Sequence, residues 1–211
     1  MIQNKLKNFK FAFAFLSFFS AIAPSLVADS PLTSTGFWIA YQDEKIVKYA
    51  RFEGKMNRKI AKFLMDKNEI MGLKAAVCNA LGWKFEGQNN AFLFLKYLSA
   101  EYNFKEERIE WDLLSADELA CYGYLVSMDD YFNPAQGITT LNLAIKKNSN
   151  SKTIKILHAL VKAQIAFESD WCAVFTLMNE VINDHLLVND LNDAAIKIIT
   201  DYISLYKSSC S

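Results

Sequence analysis

Histidine is almost missing from this chain, with two among 211 residues, and the patterns that usually hold catalytic groups are absent. There is no Gly-rich phosphate loop, no Gly-x-Ser-x-Gly nucleophile turn, no His-Glu-x-x-His helix and no Cys-x-x-Cys pair. The sequence therefore predicts no catalytic residue, no metal site and no cofactor.

Residues that break helices are also scarce, since the chain contains three prolines and seven glycines. Few breakers, together with 52% hydrophobic residues, favour packed helices over a disordered chain. We expect one all-α domain over residues 37–211. Only the polar stretch 29–36, with the sequence DSPLTSTG, is predicted to be a flexible leader.

The chain lacks an apolar run as long as the ~20 residues that a membrane-spanning helix needs. Its main apolar run, Phe11–Ala23, follows three lysines and precedes Ala28, a small residue suited to cleavage. This order of basic, apolar and small residues is typical of an export signal. We therefore predict a signal peptide over residues 1–28, a mature protein in the periplasm or outside the cell, and no permanent membrane span after cleavage.

No excess of charge of one sign is present, because 23 basic residues balance 23 acidic ones. Removal of residues 1–28 takes away three lysines and no acid, so the mature chain has 20 basic and 23 acidic residues and a formal charge of −3. Nucleic-acid binding relies on a dominant basic surface, which this composition does not supply. A protein partner is expected instead, and the oligomeric state is left open.

A short internal repeat indicates how the helices are arranged. The string RFEGKMN at 51–57 returns as KFEGQNN at 84–90, a displacement of 33 residues, and each copy precedes an apolar helical pattern. Such a period is typical of helix-turn-helix repeats. The shared glycines, Gly54 and Gly87, are predicted to form turns between helices.

Side chains that cap helices predict where the later helices begin. Ser115 and Glu118 form a capping-box pattern that opens a helix to about Tyr131. That helix carries a stripe of small residues that allows a neighbouring helix to approach closely: Ala116, Ala120, Gly123 and Ser127. Further starts are predicted at Asn133-Pro134, at Asn150 or Ser151, at Ser169-Asp170 and at Asn192-Asp193.

Part of the chain resembles tetratricopeptide repeats. The small, large, small-apolar spacing of a repeat's second helix is matched by Gly137, Leu141 and Ala144-Ile145, and again 36 residues later by Ala173, Leu177 and Glu180-Val181. Glu180 departs from the small residue expected there, and the Trp-Leu-Gly element of the first helix is missing. The resemblance implies antiparallel helical hairpins stacked as a short α-solenoid that binds partners; the alternative is an irregular helical bundle.

A charged segment, 103–114, stretches the interval between turns from 33 to about 46 residues. Segments added to a repeat often project from one face, and tryptophan is a favoured interface anchor because it buries a large area. Trp111, in the middle of this segment, is therefore the first candidate for partner contact. The alternative is that Trp111 and Ile109 pin the segment onto the core.

Four cysteines remain after signal removal, and an even number permits two disulfides in an oxidising compartment. Cys172 starts one predicted helix and Cys210 follows the end of the next. Both are therefore expected at one end of a helical hairpin and are predicted to bond. Cys78 and Cys121 then form the second pair by elimination. The alternative for these two is a pair of buried free thiols.

Two further groups of polar residues are weighed as sites. Lys155, His158 and Lys162 share one stripe of a predicted helix, which is either a basic surface for an acidic partner or a solvated face. Asp129 and Asp130 are adjacent, and adjacent helical residues point about 100° apart, so the pair does not converge on one substrate.

Together these patterns favour an exported helical protein that binds another protein. Two roles fit equally: an envelope scaffold or adaptor, and an immunity protein that neutralises an incoming effector. The alternative is a carboxylate-dependent hydrolase of cell-wall or other glycans. Two acids that converge in a deep cleft would favour the hydrolase, whereas a groove lined with aromatic side chains would favour binding.

Overall fold

The computed structural model of this chain describes residues 30–210, and the predicted signal peptide lies outside the described residues. Residues 30–210 are all-helical, with no β-strand among them, and none of their helices is long and apolar enough to cross a membrane. The α-helices are α1 (Pro31–Ser34), α2 (Lys45–Glu53), α3 (Arg58–Met65), α4 (Met71–Ala80), α5 (Asn90–Tyr102), α6 (Ala116–Asp129), α7 (Ile138–Lys147), α8 (Lys152–Ala166), α9 (Trp171–Ile182) and α10 (Asp193–Ile203). Four 3₁₀ segments join or extend them: Phe37–Tyr41, Trp111–Leu113, Pro134–Gly137 and Ser204–Ser209.

Side-chain caps begin α6, α8, α9 and α10 where the sequence predicts helix starts, whereas the start predicted at Asn133-Pro134 is a 3₁₀ segment without a side-chain cap. The Ser115 hydroxyl accepts the Glu118 N–H, and the Glu118 carboxylate accepts the Ser115 N–H at 2.7 Å, so the capping box of α6 is complete. Ser151, Asp170 and Asn192 accept backbone N–H groups in the first turns of α8, α9 and α10. These donors have no carbonyl of their own helix to bond, which is why such caps stabilise helix starts. The predicted starts of these helices are confirmed.

Helix α8 lies at the centre of the fold, and ten of its fifteen residues are buried. It packs against α1, α4, α6, α7 and α9. Helix α10 packs against α1 and against the 3₁₀ segment Phe37–Tyr41, so the two ends of the described chain meet. In a solenoid each repeat contacts only its neighbours. Neighbouring helices do pack, but helices far apart in the chain also contact each other, and the tetratricopeptide-like solenoid is not confirmed.

Residues 30–36 are anchored to the bundle, in place of the flexible leader that the sequence predicts. Pro31 opens α1, where its missing N–H costs nothing. Leu32 is 1% exposed, and its N–H donates to Oε1 of Gln164 in α8 at 3.1 Å. The buried Thr35 hydroxyl donates to the Pro31 carbonyl oxygen at 2.7 Å. The short polar side chains, typical of loops, here satisfy the local backbone and allow the segment to be buried.

The two copies of the short repeat differ in local structure but contact each other. Gly54 has a φ of +57° and ends α2 in the left-handed conformation, as predicted. Gly87 also has a positive φ, +83°, but it forms a turn well after α4 has ended at Ala80. The Asn90 side chain of the second copy accepts the Met56 N–H of the first at 2.7 Å. The repeat therefore places two loops side by side.

The stripe of small residues on α6 brings the start of α7 close, as predicted. A Cβ atom on Gly123 would lie 2.9 Å from the Gly137 carbonyl oxygen and 3.0 Å from a Leu141 side-chain carbon. A Cβ atom on Gly137 would overlap the Gly123 carbonyl oxygen and the Ser127 hydroxyl. The two backbones are therefore in contact at these glycines, and a larger residue fits only if the segments move apart.

The cysteines form one bonded pair and one unbonded pair. Cys172 and Cys210 lie at disulfide distance, with Cα atoms 4.8 Å apart, as the sequence predicts. The second predicted disulfide is not formed: Cys78 and Cys121 are buried free thiols, which is the alternative interpretation. A hydrogen bond with Cys78, and burial, raise the pKa of the Cys121 thiol. A thiol that stays protonated and buried is unreactive.

We expect Gly137→Ala to lower the free energy of unfolding by about 1–3 kcal/mol, because the added methyl group overpacks the contact between α6 and the start of α7. Urea unfolding followed by circular dichroism measures this change. Gly36→Ala is the control, since its Cβ would meet Trp38 only at an ordinary 3.5 Å, and its effect should stay within about 0.5 kcal/mol. Equal stability of Gly137→Ala and the wild type would contradict the close packing.

Thiol counting tests the cysteine pairs. The folded protein should react with no thiol reagent, and the protein unfolded without reductant should show the two thiols of Cys78 and Cys121. Cys210→Ser should lower stability by about 2–4 kcal/mol, because the unfolded chain loses the constraint of a closed loop. A count of zero thiols after unfolding would instead place a second disulfide between Cys78 and Cys121.

Candidate functional site

Four aromatic rings from two loops cluster on the surface. Trp83 and Phe85 belong to the loop between α4 and α5, and Tyr131 and Phe132 directly follow α6. The rings of Trp83 and Tyr131 are stacked with centroids 5.3 Å apart, and Phe85 meets Phe132 edge-on at 5.1 Å. Phe85 is 63% exposed and Phe132 is 69% exposed. Two large apolar rings thus contact each other while both remain largely in solvent.

Two adjoining cavities run along this cluster and together form the aromatic groove. One, of about 350 Å³, lies between the two loops, and the other, of about 510 Å³, lies between the second loop and the end of α8. Tyr131 and Phe132 line both cavities. The other lining residues are Phe85, Glu86, Gly87, Gln88, Asp129, Asp130, Asn133, Pro134, Ala135, Gln164, Ile165 and Glu168.

Asp129, the last residue of α6, holds the two loops together. Its Oδ2 accepts the Ala91 N–H at 2.6 Å and so caps the first turn of α5, whose own N-cap residue makes no side-chain cap. Its carbonyl oxygen accepts the Gln88 N–H at 2.9 Å. Because the two bonds reach Gln88, in the second copy of the repeat, and Ala91, directly after it, Asp129 ties the loop that carries Phe85 to the end of α6, next to Phe132.

Burial raises the pKa of Asp129 to about 6, although hydrogen bonds from the N–H groups of Ala91 and Asn90 act in the opposite direction by favouring the charged form. The residue is 9% exposed. Its Oδ1 has no hydrogen-bond partner among the described residues, and neither has Nε2 of Gln88. Among the described residues, the lining of the groove therefore contains one buried acceptor, Asp129 Oδ1, and one buried donor, Gln88 Nε2, without a hydrogen-bond partner.

The charged residues that line the aromatic groove within the described chain are carboxylates: Glu86, Asp129, Asp130 and Glu168. None of them forms an ion pair with another described residue. Lys55 and Lys84 line a neighbouring cavity of about 430 Å³, which the two copies of the repeat enclose. The aromatic groove thus combines exposed rings with negative charge that residues 30–210 do not neutralise by ion pairing.

Trp111, the candidate from the charged segment, is half-buried. Its ring packs on the core and lies 5.8 Å from the ring of Tyr122, at an angle of 49°. The adjoining backbone is held by Lys147, whose Nζ donates to the carbonyl oxygens of Asp112 and Leu114 at 2.8 and 2.7 Å. This placement favours the alternative in which Trp111 pins the segment, and its contact with a partner stays a prediction.

The basic stripe of Lys155, His158 and Lys162 lies along α8, and none of the three residues lines the aromatic groove. Lys155 Nζ lies 3.8 Å from Oδ2 of Asp184, so part of its charge is offset. His158 is half-buried, and burial, followed by the charge of Lys162, lowers its pKa. The imidazole is therefore neutral near pH 7, which leaves Lys162 as the exposed cation of the stripe.

The sequence does not reveal the aromatic groove, although two of its features point there. Phe85 lies in a glycine turn among polar residues, and Tyr131-Phe132 directly precede the turn at Asn133-Pro134. Aromatic residues in turns join no helical stripe, so exposure is the expected result. What the sequence does not show is that the two turns, 47 positions apart, meet.

Comparison of the chain with known protein families, with curated proteins and with solved structures finds no match. Among the described residues, no group of three or more His, Cys, Asp or Glu side chains is arranged to hold a metal ion. The chemistry of the groove therefore has to be inferred from its own residues.

Asp129 should make stability depend on pH in a direction opposite to that of most carboxylates. Its folded pKa, about 6, exceeds the value of about 3.9 for an unfolded chain, so the folded state holds a proton that the unfolded state has released between these values. The contribution of Asp129 to the free energy of unfolding is therefore fully present below pH ~4. It falls by up to about 3 kcal/mol as the pH rises through ~6.

Asp129→Asn should remove this loss, so the variant gains stability relative to the wild type as the pH rises from ~4.5 to ~7.5. Urea unfolding at several pH values measures the difference. Asp130→Asn is the matched control, since it leaves Asp129 in place and should keep the wild-type dependence. A constant difference between Asp129→Asn and the wild type across this range would show that Asp129 does not titrate there.

Proposed function

We propose that this chain is an exported helical protein that binds another protein through the aromatic groove. The observation that carries the proposal is the edge-to-face pair of Phe85 and Phe132, which are 63% and 69% exposed and both line the aromatic groove. Exposed aromatic rings beside a cavity are typical of interface anchors, because each buries a large apolar area when a partner covers it.

Export is part of the proposal and has its own support. The N-terminal pattern of lysines, apolar run and small residue is typical of a signal peptide, and the Cys172–Cys210 pair at disulfide distance is compatible with an oxidising compartment. An envelope scaffold or adaptor and an effector-neutralising immunity protein both fit these features. The proposal covers the binding activity that the two roles share.

Binding is preferred over glycan hydrolysis because of how Asp129 is used. A glycosidase needs two carboxyl groups that reach the scissile bond from opposite sides. Asp129 has a raised pKa, but its Oδ2 caps α5 and its Oδ1 has almost no accessible surface. Asp129 therefore supports the groove from beneath, where it has little access to a substrate.

Photo-crosslinking in the native host tests the proposal. A photoreactive phenylalanine analogue placed at Phe132 should yield, after illumination, a covalent adduct with one protein of the envelope fraction. The same analogue at Phe52 is the matched control, since Phe52 is 87% exposed in the first copy of the repeat and does not line the groove. No adduct is expected from this position.

A third position separates the two candidate anchors. The analogue at Trp111 should give little adduct if the aromatic groove is the interface, because the Trp111 ring packs on the core. Adducts from Trp111 and none from Phe132 would move the interface to the charged segment. Absence of any protein adduct from Phe132, with the folded protein present in the envelope, would contradict the proposal.

A further inference from the structure

We infer that the aromatic groove takes a positively charged segment of its protein partner, in which an apolar or arginine side chain covers the exposed rings and cationic groups face the carboxylates. The inference rests on the proposed function and adds the chemistry of the partner to it. It follows from the combination of rings, acidic rim and unpaired acceptor in one place.

The rim of the groove carries carboxylates that form no ion pair with another described residue. Glu86 and Glu168 are exposed, Asp130 is partly exposed, and none forms an ion pair with another residue between 30 and 210. Asp130 is held in place by the N–H of Asn133 and by Nε2 of Gln136, each at 3.2 Å. Carboxylates at the mouth of a cavity attract a cationic ligand and disfavour an anionic one.

Asp129 adds charge from beneath the groove. It is 9% exposed, it lines the same cavity as Phe85 and Glu86, and its Oδ1 lacks a hydrogen-bond partner among the described residues. Water screens a charge in this position less than it screens one at the surface. Asp129 forms no ion pair with another described residue, so a cation bound above it would offset its negative charge.

The rings explain why the cation should belong to a long side chain. Phe85, Tyr131 and Phe132 offer ring faces and edges, and a guanidinium or ammonium group over a ring face is attracted to it. Arginine also has an apolar stem that can lie along the rings, and a planar head that pairs with a carboxylate through two hydrogen bonds. The apolar wall formed by Pro134, Ala135 and Ile165 fits an aliphatic neighbour of that side chain.

The short repeat supplies a matched control within the chain. Both copies contain Phe-Glu-Gly, as Phe52-Glu53-Gly54 and Phe85-Glu86-Gly87, and the side chains of Phe and Glu are exposed in both. The second copy lines the groove, whereas Phe52 and Glu53 do not. The same substitution at the two copies therefore changes the same chemistry in two places.

The experiment uses the purified mature protein and three blocked seven-residue peptides in which leucine alternates with arginine, with glutamine or with glutamate. Isothermal titration calorimetry near neutral pH should show the arginine peptide binding at least about tenfold more tightly than the glutamate peptide, with an affinity that falls as salt is added. Phe85→Ala, Phe132→Ala and Glu86→Lys should each weaken binding of the arginine peptide about fivefold or more. Phe52→Ala and Glu53→Lys should change it less than about twofold.

Each other result overturns the inference, and the results differ in what they say about the proposed function. Equal binding of the three peptides, lost on Phe132→Ala, would contradict the charge requirement and leave protein binding in place. Equal weakening by the variants of the two copies would place the site elsewhere. If no peptide binds and a neutral cell-wall oligosaccharide binds with loss on Phe132→Ala, the groove is a glycan site, and both the inference and the proposed function are wrong.

Discussion

Helix α8 has apolar residues on more than one side, and the fold is organised around the need to cover them. Ile154, Leu157 and Val161 lie along one stripe and are fully buried, and so are Ile156 and Ala163 on another side of the same helix. A single partner helix covers only one stripe, so α8 requires neighbours on several sides. Five other helices supply this cover, and its buried polar groups are bonded: Gln164 accepts the Leu32 N–H, and Lys152 donates to the Ile182 carbonyl oxygen. The anchoring of residues 30–36 follows from the same requirement.

Capping side chains made the starts of α6, α8, α9 and α10 predictable from the sequence, but they do not predict which distant helices pack together. Ser115, Ser151, Asp170 and Asn192 act on backbone groups a few positions away, so their effect can be read from the sequence. The burial of Leu32 depends on α8, which lies more than 100 positions later in the chain. The sequence around Leu32 therefore predicts a loop. The spacing of the repeat predicts a solenoid, but spacing alone does not show that α10 returns to contact α1.

The candidate site could not be predicted from the sequence, because it also depends on contacts between distant parts of the chain. The sequence predicts that Asp129 and Asp130 point in different directions, but it does not indicate that the Asp129 side chain caps α5 while the Asp130 side chain bonds to Asn133 and Gln136. Burial changes what a carboxylate does, and burial depends on the whole fold. Trp111 is a candidate anchor in the sequence because it is large and surrounded by charge, yet its ring packs on the core. The exposed rings of Phe85 and Phe132 belong instead to the loop between α4 and α5 and to the segment after α6.

The bond between Cys172 and Cys210 closes a covalent loop that contains α9 and α10, and the two cysteines are 38 positions apart in the sequence. Both helices and the connection between them lie inside this loop, so a single break of the backbone there leaves the two pieces joined. A protease that cuts the exposed connection near Leu186 would produce a nicked molecule that, without reductant, is heavier than the intact chain by one water only. The disulfide therefore allows the α9–α10 hairpin to keep its contact with α8 after such a cut.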